Sequence, residues 1–441
     1  MEQGKLQQSL SLYQVIMFGL AYMAPMIVFG TYGTLFETTN GFVPYAYFFA
    51  TIAMLFTAFS YGQMAKAFPS AGSAYTFVSK SMNHSLGFMI GWTILLDYLF
   101  LPLVIWLIGA EYLSTAFPLV PSWCWIVIFI IVTTLINIIG INTTTTMNLL
   151  IMVFQVLVII IFIILCVYSV LHGMGEGHLV SKNVFVLPQS HITPVLAGAS
   201  IACYSFLGFD AVTTLAEETK NPEKTIPRAI MLITLIGGFL FIVVAYILSI
   251  TIPNFDAIQN TESAAFEIAK IVGGNFLSAL FLSGLILAQF ASGLSAQTSG
   301  ARLLYAMGRD GVLNKKIFGF VGKRSQTPLF NLMFIGVVGL IGILMSISTS
   351  TSFINFGAFI SFTFVNLAVI AHYFIKLKQR NGVKLIPYLI IPFIGVVLDI
   401  SLFVSLDKHA LILGSLWTCV GFVYLLYITK CFSKAPPNLS F

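Results

Sequence analysis

The sequence predicts an all-α integral membrane protein. It reads as twelve transmembrane helices in a five-plus-five inverted repeat, with broken helices one and six. Three observations carry this. The 441-residue chain is 58% hydrophobic and 8% charged, whereas soluble domains are about a quarter charged. Its apolar residues fall into runs of about 20, the length an α-helix needs to cross a bilayer. The first and sixth runs are both interrupted by Gly or Pro, and interruptions at matching places in two halves suggest inverted repeats that meet at a mid-membrane site.

The spans run over residues 13–36, 43–65, 86–116, 122–140, 147–171, 193–216, 228–251, 276–304, 328–347, 352–375, 385–405 and 409–429. Residues 13–171 form the first repeat and 193–375 the second; 385–429 hold helices eleven and twelve. Turn residues separate the spans, among them Asn40-Gly41, Pro118 with Pro121, Gly173 to Gly177, and Pro328. The run from Leu12 to Phe36 is too long for a signal peptide, and no small-residue cleavage site follows it. Lys66 to Lys80 is amphipathic and too polar to span, so it reads as an interfacial helix. Pro253 to Asn275 has helical apolar spacing that stops at Gly273-Gly274, a usual helix end. That short external helix is either a lid or an ordinary surface helix.

Charge sets the orientation. With the N-terminus cytoplasmic, only Lys182, Lys270 and Lys408 of the 21 Lys and Arg residues lie outside. The dense clusters Lys220/Lys224/Arg228, Arg309/Lys315/Lys316/Lys323/Arg324 and Lys376/Lys378/Arg380/Lys384 all fall inside, as the positive-inside rule requires. Both termini are therefore expected in the cytoplasm of a cell whose membrane the chain crosses many times. The five cysteines are scattered, which argues against a disulfide framework or metal cluster. No catalytic pattern is present: no nucleophile elbow, HExxH, phosphate-binding Gly loop or paired CxxC. Neither enzyme activity nor a cofactor is expected, and nothing points to nucleic acid.

Span one reads QVIMFGLAYMAPMIVFGTYG, with Pro25 inside the run; span six is interrupted at Gly208. Pro lacks an N–H and clashes with the preceding turn. Broken backbone at this depth is tolerated only where it lines a cavity or is buried in protein. The breaks place Tyr22, Met23, Ala24, Pro25 and Gly208 at a candidate binding site. Two kinked helices without a ligand are the alternative.

Four carboxyl residues lie within spans: Asp97, Glu111, Asp210 and Asp399. No Lys or Arg lies at mid-depth; Arg302 sits near the cytoplasmic end of span eight. An unpaired buried carboxylate takes up a proton or meets a cation from outside. That imbalance favours a cationic or amine-bearing substrate, a coupling cation or proton, or both. Asp210 follows the break and has Tyr204, Phe206 and Phe209 near it in sequence, whose aromatic faces attract ammonium groups. Its alternative role is to cap the exposed backbone. Asp97, with Tyr98 and Pro102, supplies an opposite wall, and Asp97 with Asp210 gives a diamine two anionic contacts. A structural carboxyl bonded to hydroxyls is the alternative for Asp97. Glu111 is placed to snorkel to the headgroups, and Asp399 reads as structural in a peripheral span. Gln289, Ser292, Ser295, Thr298 and Ser299 of span eight either coordinate sodium or allow close helix packing. Glu217 and Glu218, facing Lys220 to Arg228, read as a cytoplasmic ion-pair gate or a solvated loop.

Three stretches resemble the amino acid–polyamine–organocation (APC) transporters. SFLGFDAVTTLAEETKNPEKTIPRAI is similar to that family's sixth-span signature. PSAGSAYTFVSKSMNHSLGFMIGW resembles its loop between spans two and three, and ARLLYAMGRDGVLNK its segment ending span eight. Within the family, SLSLYQVIMFGLAYMAPMIVFGTYG, GWTILLDYLFLPL and FGAFISFTFVNLAV look most like bacterial putrescine importers. The resemblance implies the twelve-span inverted-repeat fold and alternating access. It also implies that a carboxylate at Asp210 takes part in gating or proton coupling, with an aromatic residue at Tyr204. One departure bears on substrate. Amino acid carriers of the family carry a Gly-Ser-Gly run whose N–H groups hold the substrate carboxylate; here Met23-Ala24-Pro25 stands in that place. Span five has no lysine, so a coupling proton falls to a carboxyl. The expectation is a secondary transporter importing a putrescine-like diamine with protons, sodium being second choice. An amino acid permease or exchanger of the same fold is the alternative, and a transport-derived sensor would need a signalling domain that the chain lacks.

Overall fold

The computed structural model describes residues 10–69, 73–139, 145–181, 187–216, 218–254, 258–309, 311–320 and 328–434. Among these residues every regular element is helical, apart from one bridge pair, Leu10 with Thr219. Ten helices are long and apolar enough to cross a membrane, or eleven spans if the first two helices, bent by 45° at a short break, count as one.

Those two are α1 (Leu12–Met23) and α2 (Ile27–Thr39). Then come α3 (Val43–Ala67), α4 (Ser73–Ser81), α5 (His84–Ala116), α6 (Ser122–Ile139) and α7 (Thr145–Leu171). The second half holds α8 (Ile192–Ala202), α9 (Pro222–Thr251), α10 (Ala264–Arg309), α11 (Leu329–Gly339), α12 (Ile347–Val369), α13 (Ile391–Val404) and α14 (Lys408–Ile428).

The expected ninth span departs from the others. Its helix tightens into a 3₁₀ turn over Leu340–Leu344 and is too short to rank with the ten. Its glycines allow close approach: a Cβ on Gly339 would meet the Trp106 ring, and one on Gly342 would meet Leu103. The expected interfacial helix is α4, which buries Ala74, Phe77 and Val78 and packs along α5 and α12. Two groups of helices result, joined where α3 also lies along α12 and α13. The α3 helix lies along α8 and α9, with α1 also on α9, whereas α5 lies along α6, α10 and α12.

The face opposite the N-terminus is closed. The expected external helix forms the start of α10 and ends at Gly274, where φ 60 and ψ −153 leave helical geometry. The Glu267 carboxylate accepts the N–H groups of Gln259 (2.8 Å) and Asn260 (2.9 Å). The Asn260 amide donates to Thr115 Oγ1 at 3.2 Å, and the Thr115 and Ser263 hydroxyls lie 2.6 Å apart. The Ile347 N–H donates to Glu262 at 3.3 Å, joining this turn to the start of α12. Glu111 accepts the Ser122 hydroxyl at 2.5 Å, so its carboxyl is engaged within the protein rather than only reaching outward. Beneath the turn lies Gly33, where an added Cβ would run into the Thr261 carbonyl.

Backbone cannot yield as a flexible side chain does, so Gly33→Val should displace this turn. Overpacking of this kind costs about 1–3 kcal/mol. The expected outcome is a lower unfolding midpoint in detergent, with faster thiol labelling of a cysteine placed at the buried Ser263; unchanged labelling would mean that the turn does not depend on Gly33.

Candidate functional site

The first break follows Met23. Ala24 takes φ 49 and ψ 90, and α2 restarts at Ile27. The N–H groups across the break are accounted for. Ala24 donates to the Ala21 carbonyl (3.3 Å) and Ile27 to the Ala24 carbonyl (2.8 Å). Met26 donates to Gln155 Oε1 on α7 (3.5 Å), and Pro25 has no N–H. Residues 24–27 thus leave no N–H free for a ligand. The Met23 side chain is buried, with its methyl where a Cβ of Gly237 would be.

The sixth span breaks over a longer stretch than one glycine. The α8 helix tightens into 3₁₀ geometry at Cys203–Phe206, turns, and continues as 3₁₀ over Ala211–Leu215. Three-residue steps close it: Leu207 to Tyr204, Phe209 to Phe206, Ala211 to Gly208 and Thr213 to Asp210. Gly208 has φ 113, a conformation that excludes ordinary side chains, and a Cβ there would enter the Tyr22 ring. The two breaks therefore press directly on each other, Gly208 backbone against the Tyr22 ring.

A cavity of about 1220 Å³ extends from this contact towards the end of the bundle that carries the N-terminus. Tyr22, Met23, Ala24, Tyr204, Leu207 and Gln289 line its inner end. Gln14, Arg302 and Tyr305 line its outer part. Of the expected span-eight hydroxyls, Ser292, Ser295, Thr298 and Ser299 all line the wall. Thr298 also donates to Asn137 Oδ1 at 3.0 Å, a helix-to-helix bond with α6.

The two expected carboxyls share one electrostatic neighbourhood. Asp97 and Asp210 lie within electrostatic reach of each other; Tyr22 and Tyr98 are within reach of both, and Tyr204 of Asp97. Neither aspartate is itself part of the cavity wall; Tyr22 and Tyr204 belong to both the wall and the cluster. One Asp97 oxygen is buried without any hydrogen-bond partner. The Asp210 carboxyl stands among the N–H groups of Gly208, Asp210 and Ala211, yet makes no capping bond to the turn that follows it.

Other expected site residues fall elsewhere. Phe209 is fully buried, its ring 5.6 Å from that of Tyr61 and 5.5 Å from that of Phe362, so it packs the core and does not face the cavity. Pro25 is buried behind the break and Tyr98 is half-buried; neither belongs to the cavity wall. Glu217 lies outside the described residues. Glu218 is tied through its backbone: its carbonyl accepts the Leu10 N–H at 3.0 Å, and the Lys220 N–H donates to the Leu10 carbonyl at 2.9 Å. This joins the segment before α1 to the segment after span six.

Two residues escape the sequence reading, Gln155 and Tyr61, and Gln289 takes a different place from the one expected. Gln155 is the one amide in the apolar run 149–167 and holds the N–H at the first break; its isolation in that run is a legible signal. Gln289, read as a sodium ligand or a packing residue, has a buried amide nitrogen with no partner at the inner end of the cavity. Tyr61 is buried within electrostatic reach of Asp210 and Asp97, and nothing in the local sequence of α3 marks it.

The chain matches the amino acid permease family over residues 14–432. It is 40% identical over 435 residues to the low-affinity putrescine importer PlaP of Escherichia coli (strain K12), covering 98% of this chain and 96% of that protein. It is 25% identical to the methylthioribose transporter of Bacillus subtilis (strain 168) and 24% identical to that organism's branched-chain amino acid permease BcaP. Each of these two alignments covers 96% of this chain and 94% of the relative. All three relatives are transporters, and the chain is a multi-pass membrane protein that belongs to the amino acid permease family.

Proposed function

We propose that this permease imports a putrescine-like diamine across the cell membrane by alternating access, coupled to protons. The observation that carries the reading is that Asp97 and Asp210 lie within electrostatic reach of each other, and that Tyr22 and Tyr204, which line the inner end of the cavity, stand beside them. Two carboxylates close together in a low-dielectric site repel each other, and a dication relieves both charges at once. Tyr22, Tyr98 and Tyr204 around them offer aromatic faces to ammonium groups. Binding then draws the two aspartates to the ligand past Tyr22 and Tyr204. The likeness to a putrescine importer along nearly the whole chain supports the same substrate class.

An amino acid substrate is the second reading, supported by the branched-chain amino acid permease among the relatives. The first break counts against it. The N–H groups of residues 24–27 are engaged or missing, so a substrate carboxylate finds no backbone cradle there.

The twelve-span reading counts the bent α1–α2 pair and Leu329–Leu344 as one span each. In it both termini are cytoplasmic, Glu217 and Glu218 belong to the inner gate, and the cavity is open to the cytoplasm while the Thr261–Ser263 turn closes the outside. The inverted repeat then relates the two breaks. The coupling proton is carried by a carboxyl, since α7 has no lysine.

The test is uptake of radiolabelled putrescine into proteoliposomes, with and without an inward proton gradient, challenged by excess amino acids. Saturable, gradient-driven uptake that amino acids do not block is the expected result; exchange of a preloaded amino acid in its place would favour the second reading. Asp210→Asn should lower uptake at least about 30-fold, because truncating one partner of a buried charge pair costs about 2–5 kcal/mol. The variant should still insert and run as a monodisperse species, and normal uptake by it would remove Asp210 from the site. Asp97→Asn should weaken binding of the diamine more than that of butylamine, which has one ammonium. Equal losses would show that Asp97 does not hold the second ammonium.

A further inference from the structure

The transport reading leaves Asp399 unused. The sequence alone suggests a structural group in a peripheral span, yet its side chain is completely buried. It sits on α13 between Thr57 of α3 and Asn366 of α12, both also buried. The Thr57 hydroxyl lies 3.1 Å from each carboxyl oxygen. The Asn366 amide nitrogen lies 2.9 Å from one of them and 3.1 Å from Thr57 Oγ1. Gly395 leaves the space for this amide; a Cβ there would stand 2.5 Å from Asn366 Oδ1. That oxygen is buried with no hydrogen-bond partner. Among the described residues, Tyr61 on α3 and Cys203 in the broken sixth span are titratable groups within electrostatic reach of Asp399. Among the described residues, no lysine or arginine acts on it.

The chemistry of this pocket is lopsided. Its donors, Thr57 and Asn366, are neutral, and a fully buried carboxylate without a cation is strongly disfavoured. A carboxyl that carries a proton fits without that penalty. The triad also lies where two groups of helices join, since α3 packs on α12 and α13. Thr57 belongs to the helix that lies along α8 and α9, whereas Asn366 belongs to the helix that lies along α5. Any movement of one group against the other strains or opens this contact and admits water, where a carboxyl is ionised at neutral pH.

We propose that Asp399 is a proton-binding site of the transport cycle, separate from the substrate cavity, which locks α3 to α12 and α13 while it is occupied. On release the contact with Thr57 and Asn366 opens, the carboxyl O–H bond breaks, and the proton passes to the water that enters and now solvates the carboxylate. Tyr61, in reach of both Asp399 and Asp210, places the lock next to the binding cluster. The inference rests on the transport reading but not on the identity of the substrate.

Two measurements on the full-length protein in proteoliposomes test it. Infrared spectroscopy at neutral pH reads the C=O stretch of protonated carboxyls in wild type, Asp399→Asn and Asp210→Asn. One band should vanish in Asp399→Asn and persist in Asp210→Asn; a spectrum unchanged by Asp399→Asn overturns the proposal. Putrescine uptake is then compared with and without an inward proton gradient. Asp399→Asn should lose the acceleration by the gradient while keeping putrescine affinity, and acceleration equal to wild type overturns the proposal. If putrescine is neither bound nor moved by wild type, the substrate reading fails, while the infrared result still decides Asp399. Should Asp399→Asn not fold, Thr57→Val takes its place. Removing a hydroxyl that holds the protonated carboxyl in the closed contact favours release, so the alkaline limb of gradient-driven uptake should move down by about one pH unit. An unmoved limb overturns the proposal.

Discussion

The contact between Gly208 and the Tyr22 ring is the constraint on which the rest of the arrangement depends. Both partners belong to interrupted helices, and interrupted backbone at membrane depth must find its hydrogen bonds inside the protein. Each break solves this differently. The first uses Pro25 to delete one donor and Gln155 to hold another. The sixth replaces four-residue helical steps with three-residue ones from Tyr204 to Thr213. Because neither break draws on the other for its hydrogen bonds, the two can be pressed together, and only glycine at position 208 lets them close to ring contact. Asp97 and Asp210 both lie within electrostatic reach of the Tyr22 ring that makes this contact.

The same contact explains which expected site residues reach the cavity. Tyr22, Met23, Ala24 and Tyr204 sit where the broken helices turn, so they line it. Asp97 and Asp210 sit one layer back, and Phe209, the immediate neighbour of Asp210, points the other way between Tyr61 and Phe362. In a chain of 3₁₀ steps, neighbouring residues point in very different directions, so closeness in sequence to Asp210 is a poor guide to lining the cavity.

Much of the fold was legible because hydropathy and Gly/Pro punctuation are local signals. The interrupted spans, the amphipathic α4 and the stop at Gly274 all follow from residues within a dozen positions of each other. What was not legible comes from helix crossings. Thr57, Asn366 and Asp399 are separated by 309 and 33 residues along the chain. No periodicity in α13 reveals that its carboxyl faces two polar partners and not lipid. The shortness of the ninth span also escaped, since a 3₁₀ turn and an α-helix share the same apolar composition.

Closure at one face and opening at the other follow from unequal chemistry. The Thr261–Ser263 turn is fastened by several hydrogen bonds, including carboxylate bonds from Glu267 and Glu262 to backbone N–H groups, and charge-assisted bonds are the stronger kind. At the N-terminal face the corresponding tie is a single bridge of two neutral backbone bonds between Leu10 and the segment around Thr219. That bridge joins the segment before α1 to the segment after the sixth-span break, and Arg302 and Tyr305 of α10 line the outer part of the cavity beside it. Among the described residues, the far face is thus fastened by stronger bonds than the face towards which the cavity extends.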